Sequence, residues 1–173
     1  MSESKPVVRA ATADDAAAMV RIHYASVRAI PRGFYPGTVL AAWSPEPDAK
    51  REQWMRGLIE SGRFVALLAE RGGEPAGFAL CEAQEGFLQA LYVDPQRAGG
   101  GVGRALLAAC EQAMRDCGRS AARVLASRNA VPFYRAAGYR ELGAGSQPLA
   151  DGSLLDCVEM TRPLQTVDRA ASA

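Results

Sequence analysis

The sequence predicts an α+β fold: a mixed, mostly antiparallel sheet flanked by helices, with one strand running through a glycine loop into a helix. Three observations carry this. Short apolar runs separated by turn signals over residues 64–93 read as an antiparallel meander of three strands. Segments with apolar residues at helical spacing lie on either side of that meander in the chain. Residues 91–107, Leu-Tyr-Val-Asp-Pro-Gln-Arg-Ala-Gly-Gly-Gly-Val-Gly-Arg-Ala-Leu-Leu, join an apolar strand to an amphipathic helix through a turn with four glycines. A meander followed by strand–helix–strand closes as a mixed sheet with helices packed against it.

Val7 to Ala11 is expected as a short first strand. Thr12 can cap the helix that follows, and Asp14 and Asp15 suit its first turn. Ala16, Met19, Val20, His23 and Val27 recur at helical spacing. Residues 31–48 hold Pro31, Gly33, Pro36, Gly37, Pro45 and Pro47, so this is a loop with one short helix near Thr38 to Trp43. A second helix is expected from Asp48 to Ser61, with Trp54, Met55, Leu58 and Ile59 on its apolar face and Gly62 ending it. Phe64 to Glu70, Pro75 to Glu82 and Gly86 to Val93 are the meander, its first turn made by Arg71-Gly72-Gly73-Glu74. The helix from Gly101 to Cys117 has a predicted buried stripe of Val102, Ala105, Leu106, Ala109, Cys110, Ala113 and Cys117. A strand over Ala121 to Ala126, a short helix over Ala130 to Ala137 and further strands complete the order.

Length and composition fit a single domain. The chain has 173 residues, which can bury roughly 70% of the unfolded surface without a disulfide or metal staple. Residues 7–163 are read as that domain, 1–6 as a flexible N-terminus and 164–173 as a frayed polar tail. A net charge of +1 with mixed signs gives no footprint for nucleic acid. No apolar run reaches the ~20 residues of a membrane span, and Met-Ser-Glu-Ser-Lys-Pro lacks a signal core, so a cytoplasmic, membrane-free protein is expected. Cys81, Cys110, Cys117 and Cys157 form no C-x-x-C pair and His23 is the sole histidine, so no metal is expected and the cysteines read as buried.

The glycine loop points to a phosphate ligand. A helix start carries unpaired N–H groups and roughly half a positive charge. Glycines at 99, 100, 101 and 103 leave that backbone uncovered, a socket for phosphate or pyrophosphate. A Walker loop is excluded, because Arg104 and Ala105 stand where its lysine and hydroxyl would follow. A dinucleotide fingerprint is excluded too: its third glycine would fall on Arg104 or Leu106.

Gly99, Gly101 and Gly103 resemble the Gln/Arg-x-x-Gly-x-Gly/Ala loop of the GNAT superfamily of acyl-CoA-dependent N-acyltransferases, with Ala98 departing from its Gln/Arg position and Arg97 one residue earlier. Residues 127–139, Ser-Arg-Asn-Ala-Val-Pro-Phe-Tyr-Arg-Ala-Ala-Gly-Tyr, resemble that family's Asn-x-x-Ala-x-x-Phe-Tyr-x-x-x-Gly-Phe/Tyr. Ala130, Phe133, Tyr134, Gly138 and Tyr139 match, while Ser127 stands in the asparagine's place. The resemblance extends from Arg9–Arg28 to Leu125–Tyr139 within residues 7–163.

The resemblance implies acetyl-CoA as co-substrate and direct acetyl transfer to a primary amine of a small molecule or protein. It implies a coenzyme site of Leu91, Tyr92, Val93, Ala98, Gly99, Gly100, Gly101, Val102, Gly103, Arg104, Ser127, Asn129 and Phe133. It assigns Tyr134 as the general acid for the departing thiolate, and a main-chain amide at Val93 or its neighbours to the developing oxyanion. The glutamate many members use as base aligns with Phe87, so Glu82, Glu85 and His23 remain as bystanders or bases and the base is unassigned. Glu85 shares side parity with Phe87, Gln89 and Leu91. Tyr24, Arg28, Phe34, Tyr35 and Trp43 are candidates for the acceptor pocket. A noncatalytic acyl-CoA-binding module and a nucleotide-phosphate binder are the competing readings, and a homodimer is left open.

Overall fold

The computed structural model describes residues 4–165 and builds them around one seven-stranded sheet. The strands are β1 (Val7–Ala10), β2 (Val65–Arg71), β3 (Glu74–Glu82), β4 (Phe87–Val93), β5 (Ala121–Ser127), β6 (Arg140–Pro148) and β7 (Leu154–Pro163). Their spatial order is β1-β2-β3-β4-β5-β7-β6, and only the β4–β5 pair is parallel. That parallel junction needs a crossover, which α4 (Val102–Asp116) supplies. The remaining helices are α1 (Ala16–Arg28), α2 (Gly37–Trp43), α3 (Ala49–Glu60) and α5 (Val131–Ala136).

Local chemistry sets these boundaries. Asp15 accepts a hydrogen bond from the Thr12 N–H at 2.7 Å, closing the turn that starts α1. The Asp48 carboxylate accepts from the Arg51 N–H at 2.7 Å and so caps α3. Gly72 and Gly73 take the left-handed conformation that a tight β2–β3 turn requires. Gly77 matters for a different reason. A Cβ there would lie 2.9 Å from the Tyr92 carbonyl oxygen and 3.0 Å from Val102 Cγ1. Its bare Cα lets the start of α4 sit close on β3.

The two sheet faces are covered separately. Helices α4 and α5 lie on one, over a core that includes Leu88, Leu106, Met114, Val124 and Met160. Helices α1 and α3 lie on the other, against Leu68, Phe78 and Leu80, and residues 27–43 continue this layer over Leu155 and Cys157. Each fully buried aliphatic side chain contributes roughly 1.5–3 kcal/mol.

Several expectations need correction. Trp54 is 57% exposed; α3 buries Met55 fully and Leu58 and Ile59 partly, and Trp54 lies outside that face. The inner face of α4 is Val102, Leu106, Leu107, Cys110, Glu111 and Met114, rotated from the predicted stripe, and Cys117 is exposed at its end. The rotation brings the Glu111 carboxylate inside. It is stabilised there by the Tyr139 hydroxyl, donating at 3.0 Å, and by Arg162, donating at 3.1 and 3.0 Å. A pattern of apolar residues alone cannot foresee a buried ionic partner. Leu164, read as part of the tail, is 4% exposed, and its N–H donates to the Ser120 carbonyl at 2.7 Å. The rest of the tail from 166, and residues 1–3, lie outside the described residues.

Candidate active site

The site begins at a fault in the sheet. Along β3 and β4 the register runs Leu80↔Ala90 and then Cys81↔Leu88, so Gln89 is an extra residue, a β-bulge. A bulge bends its strand and raises its twist. Parallel pairing of β4 with β5 accordingly stops after Phe87↔Arg123 and Leu88↔Val124. Beyond that point β5 stays paired to β7 through Ser127↔Cys157, and β4 stays paired to β3 through Gly77↔Val93. The two central strands therefore splay into a cleft. Glu85, read as sharing side parity with Leu91, lies in the turn before β4, and the left-handed Gly86 separates it from the strand, so strand alternation does not reach it.

The open edge of β4 is polar. The Asp94 N–H donates to the Ala76 carbonyl at 2.9 Å, which makes 76/94, and by alternation 78/92 and 80/90, the hydrogen-bonded pairs. Leu91 and Val93 then direct their N–H and C=O groups away from β3, into the cleft. Tyr92, grouped with them from sequence, commits its main chain to β3, and only its side chain lines the cleft.

The glycine loop stands at the mouth of this cleft. Gly99, Gly100 and Gly101 have φ of +87°, +58° and +81°, three successive left-handed residues that side chains would strain. Ala98, Gly99, Gly100, Gly101 and Arg104 are exposed, whereas the Val102 side chain is buried in the core, leaving only its main chain to meet a ligand. A Cβ on Gly103 would lie 3.1 Å from the Phe133 ring and 3.6 Å from Val93. The tertiary structure thus joins β4, α4 and α5 at one point. A Cβ on Gly100 would lie 2.7 Å from the Arg71 guanidinium carbon, a neighbour that sequence reading missed.

Tyr134 reaches the cleft from the α5 side. It is 5% exposed and packs edge-on against Phe133 and Tyr139, with ring centroids at 5.0 and 5.4 Å. Its hydroxyl opens into the cleft and has no hydrogen-bond partner among the described residues. Burial, aided by Tyr92 and Cys110 nearby, pushes the phenol well above its ordinary range, so it stays protonated. Ser127, at the end of β5, also lines the cleft. Asn129 is two residues further on, and its Oδ1 is buried without a hydrogen-bond partner.

The opposite wall is aromatic. The Trp43 indole N–H donates to the Tyr92 hydroxyl at 3.1 Å, and the His23 ring meets Tyr92 edge-on at 4.4 Å. His23 Nδ1 lies 2.9 Å from both Ser44 Oγ and Arg51 Nη2. Arginine can only donate, so Nδ1 accepts and the ring is neutral. Burial and then the Arg51 charge push the imidazole down to about 3. His23 is thereby a poor base. Tyr35 donates to the Asp156 carbonyl at 2.6 Å and accepts from the Arg128 N–H at 2.7 Å, latching segment 31–48 onto β7 and β5. Of the pocket candidates, Trp43 lines the cleft, Tyr35 and Phe34 pack beneath it, and Arg28 lies over the Tyr24 ring at 4.7 Å. Glu82 is held by two hydrogen bonds from Arg63. Cys81 and Cys110 are buried, and no cluster of three His, Cys, Asp or Glu among the described residues could hold a metal. No helix among the described residues is long and apolar enough to cross a membrane.

A family model described as an acetyltransferase (GNAT) domain matches residues 39–161. The chain belongs to the GNAT acetyltransferase family. An aminoglycoside N(6')-acetyltransferase type 1 from Stenotrophomonas maltophilia is 33% identical over 158 residues, 82% of this chain and 90% of that protein. A crystal structure described as a GCN5-related N-acetyltransferase from Rhodopseudomonas palustris superposes with a TM-score of 0.84 at 29% identity, covering 95% of this chain and 99% of that one. The PaiA N-acetyltransferase from Thermoplasma acidophilum, solved with coenzyme A, shares the fold with a TM-score of 0.72 at 18% identity, covering 94% and 99%. As a GNAT acetyltransferase the chain is an enzyme, and its seven-stranded, mostly antiparallel sheet is the fold of those structures.

Of the residues singled out from sequence, Leu91, Tyr92, Ser127 and Tyr134 line the cleft, and Val93 and Phe133 flank Gly103 beside it. Sequence reading missed Gln89, Gln147 and Leu155, which also line the cleft. One signal was available: Leu88, Leu91 and Val93 break period-two spacing, as a bulge demands.

Proposed function

We propose that this acetyltransferase moves an acetyl group from acetyl-CoA directly to a primary amine in a ternary complex. The splayed cleft carries the reading, because it ends on the otherwise unpartnered Tyr134 hydroxyl and opens at three left-handed glycines. Acetyl-CoA would supply a thioester whose acyl carbon is open to attack.

The chain's own residues fit that molecule along its length. Main-chain N–H groups over Ala98 to Arg104, at the positive end of α4, hold the diphosphate. The outward amide groups of Leu91 and Val93 pair with the pantetheine arm as an added strand would. Asn129 Oδ1 is a buried acceptor in need of a donor, and an amide N–H of that arm provides one. Ser127 and Phe133 close the same side. An N–H on the outward edge of β4, at Leu91 or Val93, stabilises the carbonyl oxygen as charge develops there. Tyr134 donates its proton to the departing sulfur.

The acceptor amine must be neutral to attack, which for a lysine-like amine at pH 7 costs about 4.6 kcal/mol. Among the described residues lining the cleft there is no histidine, and the one carboxylate, Glu82, is bound to Arg63. The proton therefore leaves through water in the open cleft. Acceptors on a small molecule or on a protein both satisfy this chemistry. The aminoglycoside acetyltransferase relative supports the small molecule.

Gly101→Glu tests the coenzyme site. A Cβ at Gly101 meets nothing within 4 Å, but its left-handed backbone strains any side chain by roughly 1–2 kcal/mol, so folding is verified by a melting curve and Gly101→Gln is the uncharged control for the carboxylate placed where the diphosphate binds. Calorimetric titration with coenzyme A should show affinity lowered by about 100-fold or more. Unchanged affinity in a folded variant would remove the site from this loop.

A further inference from the structure

The cleft between β4 and β5 has two connected lobes that share Leu88, Gln89, Leu125 and Gln147. The lobe beside Tyr134 is walled by Trp43, Tyr92, Leu125 and Leu155, and among the described residues no charged side chain lines it. The second lobe has two charged side chains, Arg63 and Glu82. These bind each other through two hydrogen bonds of 3.1 and 2.9 Å, so their charges cancel. Glu159, the β7 position facing Leu125, lies 3.5 Å from the Arg123 guanidinium. The Tyr35 latch holds the segment that carries Trp43 against β7 and β5.

A molecule with several ammonium groups enters such a cleft at high cost. Each cation taken from water needs a carboxylate partner, and the one carboxylate lining the cleft among the described residues, Glu82, is already paired. Aromatic and aliphatic walls, by contrast, gain from an apolar body, and the two carboxamides can meet its polar groups. Resting on the acetyl-transfer reading above, we infer that the acceptor is a small monoamine with an apolar or aromatic body and no second cationic group. Gln89, pushed out of the ladder by the bulge, and Gln147 of β6 set this specificity.

The test measures thiol release from acetyl-CoA with tryptamine, tyramine and phenylalaninamide as monoamines. Spermidine and kanamycin serve as polycations, and a lysine-containing peptide as a macromolecular acceptor. The best monoamine should exceed both polycations in kcat/KM by about 100-fold. The double variant Gln89→Glu, Gln147→Glu, with folding verified by its melting curve, should raise polycation turnover about 10-fold or more. Polycations or the peptide equalling the monoamines would overturn the inference, and so would acetyl-CoA binding with no monoamine turned over. No polycation gain in the folded double variant would overturn the charge argument. Failure of the wild-type protein to bind acetyl-CoA would instead overturn the acetyl-transfer reading itself.

Discussion

Tyr134→Phe separates chemistry from packing in a way the structure makes quantitative. The substitution removes one oxygen and keeps the ring with its edge contacts to Phe133 and Tyr139 at 5.0 and 5.4 Å. The lost hydroxyl has no partner among the described residues, so no buried group is orphaned and stability should change by less than about 1 kcal/mol. On the proposed mechanism, however, the proton donor for the thiolate is gone. A positioned general acid contributes about 10²–10⁴-fold, and the lower end corresponds to about 2.7 kcal/mol of barrier. We therefore expect kcat to fall about 100-fold while coenzyme affinity stays within about twofold. Thiol release under saturating acetyl-CoA reads kcat, calorimetry reads affinity, and urea unfolding reads stability. The raised phenol pKa adds a pH signature: the wild-type donor stays protonated to beyond pH ~10, so its loss gives no falling limb in the neutral range. Normal kcat in the variant, or weakened coenzyme binding with normal kcat, would refute Tyr134 as the acid.

Two further outcomes follow from groups away from the reacting atoms. Glu111→Leu leaves Arg162 and the Tyr139 hydroxyl without their buried acceptor and should cost about 3 kcal/mol in urea unfolding; a loss under ~1 kcal/mol would show that the network relaxes freely. His23 gives an acid-side prediction. Its unfolded imidazole takes up a proton below pH ~6.5, whereas the folded one, pushed down to about 3, does not. The unfolded state binds more protons, so stability is full above pH ~6.5 and falls as pH drops toward 3, by roughly 4 kcal/mol in all. His23→Gln should flatten that slope in unfolding curves taken from pH 7 to 4, and an unchanged slope would place the acid sensitivity elsewhere.

The parts of this protein legible in its sequence are the local ones. Thr12, Asp48, Gly72 and Gly138 punctuate the chain through turn and cap chemistry acting within a few residues, and the helices and strands begin and end close to where those signals fall. The glycine run between Val93 and Arg104 was readable for the same reason, since left-handed backbone and bare amides are properties of the residues themselves. The face of α4 was not. Its rotation is decided by Glu111 meeting Tyr139 and Arg162, partners 28 and 51 residues away. Trp54 failed as a core residue on similar grounds, because which side of α3 is covered depends on the elements packed against it.

The cleft divides along the same line. Residue types and short-range spacing determine by themselves that a strand feeds a glycine-rich helix start with bare amides and that a tyrosine follows the next strand. Only the tertiary structure decides that they converge. The bulge at Gln89 breaks the parallel ladder after Leu88, opens the amide edge of Leu91 and Val93, and lets Tyr134, Trp43 and Gln147 face one space. Such pairing is settled by which strands find each other across long stretches of chain. That free energy is a sum over many distant contacts and is written in no single segment.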